Sequence, residues 1–443
     1  MAPNTGSYYL LFGALSLACV VAVKASGMAS DVFKSVTTSP EFTKFQRGFL
    51  AVYFLMVAGD WLQGPYVYKL YSHYGFTSGE IGFLFVAGFL ASAVFGTFIA
   101  SLADRLGRKK MCIVYGLMYS ASCLTKHMNN WHVLFLGRIL GGTATSILFS
   151  AFESWMVHEH KRAGYPDEWL SKTFSMMMFG NGVVAIVCGI VAGFGVDAFG
   201  YVAPFDMSMV CLLLGTAVVW KMWTENYGDE SGVFGANFVT GWVTMSSQPK
   251  IWLLGLAQSS FEGAMYIFVF SWTPTLEEAD PHLPHGLIFA AFMVSCMIGS
   301  SFFKTLSSRD ATPGDILVKA FGVSFCALAM PALTENIWFR LISFFVFECC
   351  VGLYFPSMGM LRGKVIPDEV RSTIMNFFRI PLNMIVVLVL VNVGDMSVRM
   401  IAASCSALLA CATFLQLAIN RLDKKNYQTV AGEEDKDLES ASA

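Results

Sequence analysis

The sequence predicts an all-α membrane protein made of two six-helix bundles with pseudo-two-fold symmetry, preceded by one extra hydrophobic helix. Three observations lead to this prediction. The chain is 55% hydrophobic and only 14% charged, whereas a soluble domain carries about 25% charged residues. Its apolar stretches repeat at a length of about 20 residues, which suits a transmembrane helix. A polar stretch near the middle of the chain divides the later stretches into two sets of six.

Thirteen apolar stretches are long enough to cross a bilayer. The first is the extra helix, and the other twelve form the two bundles. A six-plus-six arrangement is typical of transporters that contain an internal duplication. The predicted spans are 7–24, 46–71, 78–102, 110–127, 131–157, 170–196, 202–222, 250–275, 285–305, 314–333, 337–360, 369–391 and 396–420.

The polar stretch between the two sets predicts a linker, and the acidic composition at the end of the chain predicts disorder. The first hydrophobic segment either spans the membrane or is a signal peptide that is removed, and the residues leave both interpretations open. The predicted organisation is an extra helix and basic linker at 1–40, an N-terminal bundle at 41–223, a cytoplasmic linker at 224–247, a C-terminal bundle at 248–421 and a disordered acidic cytoplasmic tail at 422–443.

Lysine and arginine are concentrated on one side of the predicted bundle. The loop at 104–110 alone carries four of them, and the other loops on its side carry most of the rest. By the positive-inside rule this side is cytoplasmic, and the C-terminus lies there. The opposite side holds only Lys69, Lys126, Arg340 and Arg399.

Charge and motif content exclude several classes of function. The net charge is −2, so no basic field predicts a nucleic-acid partner. No nucleophile–base arrangement and no cluster of metal ligands occurs at one depth, so we expect no catalysis, no metal and no cofactor. The eleven cysteines lack ligand spacing and are expected to be buried apolar residues. We expect a monomer surrounded by lipid.

A few charged residues fall inside the predicted spans, where each costs roughly 2.5 to 3.5 kcal/mol on insertion scales. Asp60, Glu262, Glu348 and Arg379 lie near the middle of their spans, and Arg138 lies in the outer half of its span. Such residues normally have a partner or face a wet cavity, so they are candidates for a substrate or ion pathway.

Helical spacing gives three of the spans a polar stripe. These stripes indicate a binding site, since buried ion pairs stabilise a bundle poorly. The alternative is that Arg379 and a carboxylate form an ion pair that only packs the helices. The stripes are Asn376, Arg379 and Asn383 in one helix, Gln258, Glu262 and Tyr266 in a second, and Asp60 and Gln63 in a third.

The loop "LADRLGRKK" at 102–110 resembles the Asp-Arg-x-Gly-Arg signature of the major facilitator superfamily. In that superfamily the signature latches the two halves on the cytoplasmic side, which assigns Asp104, Arg105, Gly107 and Arg108 to a gate. Gly107 permits a tight turn. The superfamily usually has glycine four residues before the aspartate, where this chain has Ala100.

Longer stretches resemble one branch of this superfamily, the eukaryotic molybdate-anion transporters, from about residue 41 to 422. The resemblance implies a major facilitator fold and uptake of molybdate across the plasma membrane, but it does not say which side chains contact the ion. The strings that carry it include "DWLQGPYVYKLY" (60–71), "GRILGG" (137–142), "LFSAFESWMVHEH" (148–160), "ENY" (225–227), "IFVFSWTP" (267–274), "GLYFPSM" (352–358) and "NFFRIPL" (376–382).

Molybdate is a tetrahedral dianion, so its site should offer a cation and hydrogen-bond donors. Arg379 supplies a fork of donors that suits an oxyanion. We therefore expect Arg379 to be the substrate's counter-ion. The neutral polar side chains expected to assist it are Asn376, Asn383, Asn181, Gln63, Tyr66, Gln258 and Tyr266.

The carboxylates need a separate explanation, because they would repel a dianion. Moving a dianion into a cell held at about −100 mV costs about 4.6 kcal/mol, which two co-transported protons would cancel. Asp60, Glu262 and Glu348 are candidate proton carriers. Alternatively, they only neutralise Arg379 and Arg138.

Two other functions stay open on the residues alone. One is a facilitator for an organic solute, for which the carboxylates would matter more than Arg379. The other is a receptor or scaffold that transports nothing, although short loops leave little surface for partners. The sequence does not separate molybdate from sulfate or tungstate.

Overall fold

The computed structural model describes residues 5–33, 38–228, 234–367 and 370–442, which form seventeen α-helices and two 3₁₀ turns without a strand among them. Eleven of these helices are long and apolar enough to cross a membrane. The predicted all-α membrane fold is confirmed. The two remaining predicted spans also contain helices, Pro40–Trp61 and Arg108–Thr125. These two helices do not meet the same criterion of length and apolar composition, and both carry charged residues.

The extra segment forms two helices, of which the first packs on the C-terminal half and the second contacts the N-terminal half. Helix α1 (Thr5–Ala25) lies along α13 (His285–Ser307), and the short α2 (Met28–Phe33) follows it. The Tyr8 hydroxyl donates a 2.6 Å hydrogen bond to Asp280. The first helix therefore belongs to the C-terminal half in space.

The N-terminal half comprises α3 to α10. Its first predicted span, 46–71, is interrupted at a 3₁₀ turn, Gly64–Tyr66, because Pro65 has no N–H to continue the helix. The predicted span 131–157 is likewise divided between two helices. The helices are α3 (Pro40–Trp61), α4 (Val67–His73), α5 (Ser78–Leu106), α6 (Arg108–Thr125), α7 (Trp131–Leu148), α8 (Ala151–Arg162), α9 (Asp167–Phe199) and α10 (Ala203–Met222).

The C-terminal half comprises α12 to α17. The predicted linker is partly helical, since α11 (Phe234–Ser247) lies within it, and Trp242 packs against Phe377. The last helix continues through the segment where the sequence predicts a disordered tail, and no proline interrupts that run. The domain boundaries themselves stay predictions. Besides α13, the helices are α12 (Pro249–Glu277), α14 (Pro313–Leu333), α15 (Ile337–Val365), α16 (Arg371–Val391) and α17 (Val398–Ser442).

Each half contains one glycine-lined helix crossing at an equivalent place. In the N-terminal half, a Cβ atom built at Gly142 would lie 2.1 Å from the Gly88 carbonyl oxygen, so α5 and α7 touch backbone to backbone. In the C-terminal half, a Cβ atom at Gly352 would lie 1.9 Å from the Cys296 carbonyl oxygen, so α13 and α15 do the same. The matched crossings support the pseudo-two-fold relation between the halves.

The two ends of the bundle are named here by their loops. The basic end carries residues 104–110, and the distal end carries Lys69 and Glu277. Close approaches between the halves occur toward the distal end: Gly286 of α13 packs on Gly189 of α9, and a Cβ atom at Gly82 of α5 would lie 2.5 Å from the Leu390 carbonyl oxygen of α16. The halves are therefore in contact at their distal ends.

Candidate functional site

Arg379 lies where α16 of the C-terminal half crosses α5 and α7 of the N-terminal half. A Cβ atom built at Gly96 would lie 3.2 Å from Nη1 of Arg379 and 3.0 Å from the Ser146 hydroxyl oxygen. The arginine side chain is exposed, and in the part of the chain that the structure describes no carboxylate lies within 4.0 Å of it. Its guanidinium donors are therefore available at the boundary between the halves.

Glu262 of α12 is the carboxylate associated with this arginine. The Tyr354 hydroxyl donates a 2.7 Å hydrogen bond to its Oε1 atom, and the buried Gln258 lies one turn earlier on the same helix. Arg379 and Arg362 both lie close enough for their charges to act on Glu262. The sequence indicates Arg362 only as a loop cation, because the predicted span ends at residue 360, whereas α15 continues past it.

Tyr266 joins this group from the next turn of α12. Its ring stacks on Phe89 of the N-terminal half with centroids 4.8 Å apart, and the charges of Glu262 and Arg379 act on its hydroxyl group. Two of the three predicted stripes therefore lie together: the structure brings Gln258, Glu262 and Tyr266 close to Arg379.

The three candidate asparagines differ in their positions and in their hydrogen-bond partners. Asn383 donates its Nδ2 to the backbone oxygen of Arg379 at 2.6 Å, and Asn376 is half-buried one turn earlier on the same face of α16. Asn181 of α9 accepts a 2.9 Å hydrogen bond from the Trp61 indole. Asn376, Arg379 and Asn383 therefore follow one face of α16, while Asn181 is partly engaged elsewhere.

Asp60 forms a second polar group within the N-terminal half. The Tyr119 hydroxyl donates a 2.6 Å hydrogen bond to it, and the charge of Arg138 acts on it. Arg138 also donates from Nε to the Leu84 carbonyl oxygen at 3.1 Å and lies 4.8 Å from the Phe85 ring centroid. Both charges have partners in their own half.

Gln63 and Tyr66 lie away from Arg379. Gln63 is buried and donates to Gly59 O and Ser208 Oγ at 3.0 and 3.1 Å, so it stabilises the interrupted helix. The Tyr66 hydroxyl accepts a 3.2 Å hydrogen bond from the Gly286 N–H at the distal end. From the sequence alone, Gln63 and Tyr66 have the features of substrate contacts. The interruption of the helix after Trp61 redirects both side chains, and the sequence does not show this.

Glu348 of α15 stands apart from both groups. It is only 7% exposed, and among the described residues no hydrogen bond or ion pair to its carboxyl group is found. The charge of Glu348 acts on the thiol of Cys296 in α13. Neutralisation of Arg379 or Arg138 by Glu348 therefore finds no support in these contacts.

The gate motif is held within the N-terminal half. Arg108 Nε donates to Asp104 Oδ1 at 2.9 Å, Gly107 has a positive φ of 109°, and Arg105 is exposed. The Gly228 N–H donates to the Asp104 backbone oxygen at 3.0 Å. These contacts fix the loop to the end of its own half.

Glu225 is a partner of this loop that the sequence reasoning missed. Its carboxylate accepts hydrogen bonds from the N–H groups of Lys109 and Lys110 at 2.8 and 3.2 Å, so it caps α6 at the positive end of the helix dipole. A Cβ atom at Gly107 would lie 2.6 Å from this carboxylate. Glu225 lies in the string "ENY", which is part of the resemblance described above. Because this string is far from residue 107 in the sequence, the contact could not be predicted from it.

The chain is similar to known transporters in sequence and in fold. Residues 7–343 match the family described as sugar transporters with twelve transmembrane spans. The chain is 37% identical over 400 residues to the molybdate-anion transporter of Xenopus tropicalis, covering 88% of each chain. It is 34% identical over 417 residues to the molybdate-anion transporter of Takifugu rubripes, covering 86% of this chain and 85% of the relative.

Solved structures support the same fold at low sequence identity. A point mutant of the nucleoside transporter NupG superposes with a TM-score of 0.69 at 12% identity, covering 85% of this chain and 99% of that one. A D-xylose-proton symporter superposes with a TM-score of 0.65 at 10% identity, covering 84% and 97%.

Proposed function

The chain belongs to the molybdate-anion transporters of the major facilitator superfamily, and from this premise we propose that it carries molybdate or a similar tetrahedral oxyanion across the membrane by alternating access. The relatives' names support the substrate class. The observation that carries the proposal is the position of Arg379, a cation at the boundary between the halves without a carboxylate within 4.0 Å of it in the described chain.

Arg379 binds the oxyanion, and Arg362 provides a second positive charge nearby, which matches a dianion. Tyr266 and Gln258 are hydrogen-bond donors on the facing helix. Asn376 and Asn383 line the same face of α16. When the site is empty, the negative charge of Glu262 offsets one of the two positive charges of Arg379 and Arg362, which lowers the cost of holding them at this depth.

Contact at the distal end corresponds to a state in which the site is reached from the basic end. The ion pairs described at the basic end, Asp104–Arg108, Glu159–Arg162 and Lys250–Asp423, each join residues of a single half. In the other state the distal contacts separate and the basic-end loops meet. The gate motif then connects the halves, which is the role that the superfamily signature implies.

Proton coupling would supply the energy for moving a dianion against the membrane potential. Glu348 is the first candidate for the carrier, because it is buried and has no described hydrogen-bond or ion-pair partner. Glu262 is the second, because it lies beside the proposed anion site. The predicted orientation, with the basic end and the C-terminus cytoplasmic in the plasma membrane, makes the transport an uptake.

The first experiment measures molybdenum accumulation in molybdate-starved cells that express the wild type or Arg379→Gln. We expect the variant to lose at least about tenfold in uptake, because the charge that binds the oxyanion is gone. Arg399→Gln is the matched control, since Arg399 is exposed at the distal end and its partner in the described chain is the exposed Glu335.

Sulfate and tungstate as competitors measure selectivity, and varying the external pH measures coupling. If wild-type protein reaches the cell surface in full but the cells accumulate no molybdenum, the proposal is overturned. That result would favour an organic solute, which is the substrate type in the matched family description and in the names of the two superposed structures. Undiminished uptake by Arg379→Gln would overturn the site.

A further inference from the structure

One carboxylate oxygen joins the two halves at the distal end. Oε1 of Glu277, at the end of α12, lies 2.5 Å from Nζ of Lys69 on α4. The same oxygen lies 2.9 Å from Nε2 of His285, the first residue of α13. Lys69 belongs to the N-terminal half and the other two to the C-terminal half. The ion pair with Lys69 is thus a latch between halves.

The surroundings of this oxygen have the features of an oxyanion site. An ammonium group and an imidazole nitrogen converge on it, and the imidazole belongs to the first residue of a 23-residue helix, whose N-terminus favours anions. His285 is only 4% exposed, and among the described residues its Nε2, although 2.9 Å from Glu277, has no partner aligned for a hydrogen bond. A buried donor of this kind is under-satisfied by the carboxylate it faces.

The position can be reached from the distal solvent. The side chains of Lys69 and Glu277 are 19% and 17% exposed. Tyr66, whose hydroxyl accepts from the Gly286 N–H, packs against the His285 ring with centroids 5.9 Å apart and forms the inner wall. A small tetrahedral oxyanion approaching from this side meets Lys69 and His285 before any other part of the pathway described above.

We propose that Lys69 and His285 form an entry site for the transported oxyanion, and that Glu277 occupies this site as an internal substitute when no substrate is present. An arriving oxyanion replaces the Glu277 carboxylate on Lys69 and His285. Because the same exchange breaks the bond between the halves, substrate binding at the distal end opens the latch. The inference rests on the proposed function, since it takes the same substrate class.

An ordinary ion-pair latch and an occupied entry site predict different results for its two partners. If the ion pair only holds the halves together, Lys69→Gln and Glu277→Gln remove the same interaction and change transport in the same direction. If Glu277 competes with the substrate for Lys69, the two variants change the KM for uptake in opposite directions. The test is therefore whether the two variants shift the KM for uptake in opposite directions or in the same direction.

The experiment measures the KM for radiolabelled molybdate uptake in starved cells, corrected for protein at the cell surface. We expect Lys69→Gln to raise KM about tenfold, and Glu277→Gln to lower it about threefold, since the competitor is removed. Lys69→Arg keeps the charge and should stay within about threefold of the wild type, which separates loss of charge from a disturbed fold. Arg399→Gln and Glu335→Gln neutralise an exposed distal pair and should leave KM unchanged.

Opposite shifts of KM in Lys69→Gln and Glu277→Gln would support the entry site. Shifts in the same direction, or none, would overturn it while leaving the proposed function intact. If the wild type accumulated none of molybdate, tungstate or sulfate, the proposed function would fail and this inference with it.

Discussion

Arg138 in α7 and Glu348 in α15 occupy equivalent places in the two halves but carry opposite charges. Each lies four residues before the glycine of its half's close crossing, Gly142 or Gly352. Arg138 has a hydrogen-bond acceptor, an aromatic ring and a nearby carboxylate. Glu348 is buried without a described polar partner. The duplicated packing is retained in both halves, while the polar chemistry built on it has diverged.

The largest effects should come from the shared packing, because it is backbone against backbone. Gly142→Ala and Gly352→Ala would each place a methyl group about 2 Å from a carbonyl oxygen, so the helices must separate. We expect each to cost about 3 kcal/mol or more of folding free energy. The measurement is the melting temperature and monodisperse yield of purified protein.

Gly322→Ala is the control, since nothing lies within 4 Å of a Cβ atom built there in α14. It should be neutral or slightly stabilising, because alanine is the better helix former. If only one of the two crossing variants were destabilised, the halves would not share this packing and the comparison would fail.

A smaller effect should distinguish the two charged residues. Arg138→Gln loses a cation–π contact and a charged hydrogen bond, so we expect a loss of about 2 to 3 kcal/mol in stability. Glu348→Gln keeps the shape and removes an unpartnered carboxyl group, so we expect its stability to stay within about 1 kcal/mol of the wild type. Thermal unfolding of the two variants in the same detergent measures the difference.

Transport should distinguish Arg138 and Glu348 in the opposite order, with an effect of the Glu348 substitution on function and not on stability. If Glu348 carries a proton, Glu348→Gln flattens the dependence of uptake on external pH even though the protein stays folded. Equal destabilisation by both variants would mean that Glu348 has an unseen partner, and a retained pH dependence would remove it as the carrier.

The smallest effects concern the tyrosines that donate to the other two carboxylates. Tyr119→Phe leaves Asp60 without its short hydrogen bond, and we expect a loss of about 1 to 2 kcal/mol in stability. Tyr354→Phe should cost less, because Gln258 and two arginine charges still act on Glu262. Comparing the melting temperatures tests this order, and the reverse order would mean that Glu262 depends on Tyr354 alone.

Most of the fold could be predicted from the sequence, because span length and hydropathy are local properties. The six-plus-six division follows from the polar stretch between two sets of apolar spans, and the stripe on α16 follows from spacing along a single helix. The interruption after Trp61 was harder to predict. Proline is tolerated inside some membrane helices, as Pro381 in α16 illustrates, so Pro65 alone does not fix the end of α3.

The candidate site was less predictable, because it depends on pairings between distant helices. Arg379 and Glu262 are singled out by their cost in the membrane, yet nothing local indicates that Arg362 acts on the same carboxylate. The spacing of Gln63 predicts a donor that faces a cavity, and only its neighbour in α10, Ser208, shows that it is engaged elsewhere. Glu225 meets the loop at residue 107 only because α10 returns to the same end of the bundle.

Helix α1 has a consequence for how the protein is made. It is synthesised well before its packing partner α13, which begins only at His285, after the whole N-terminal half. The contacts of α1 with α13 must therefore form late, while α3 to α10 can assemble from neighbouring segments. The bond from Tyr8 to Asp280 forms across more than half of the chain. The C-terminal half is thus completed by a segment that is synthesised before the N-terminal half, and its packing cannot be complete until α13 has been made.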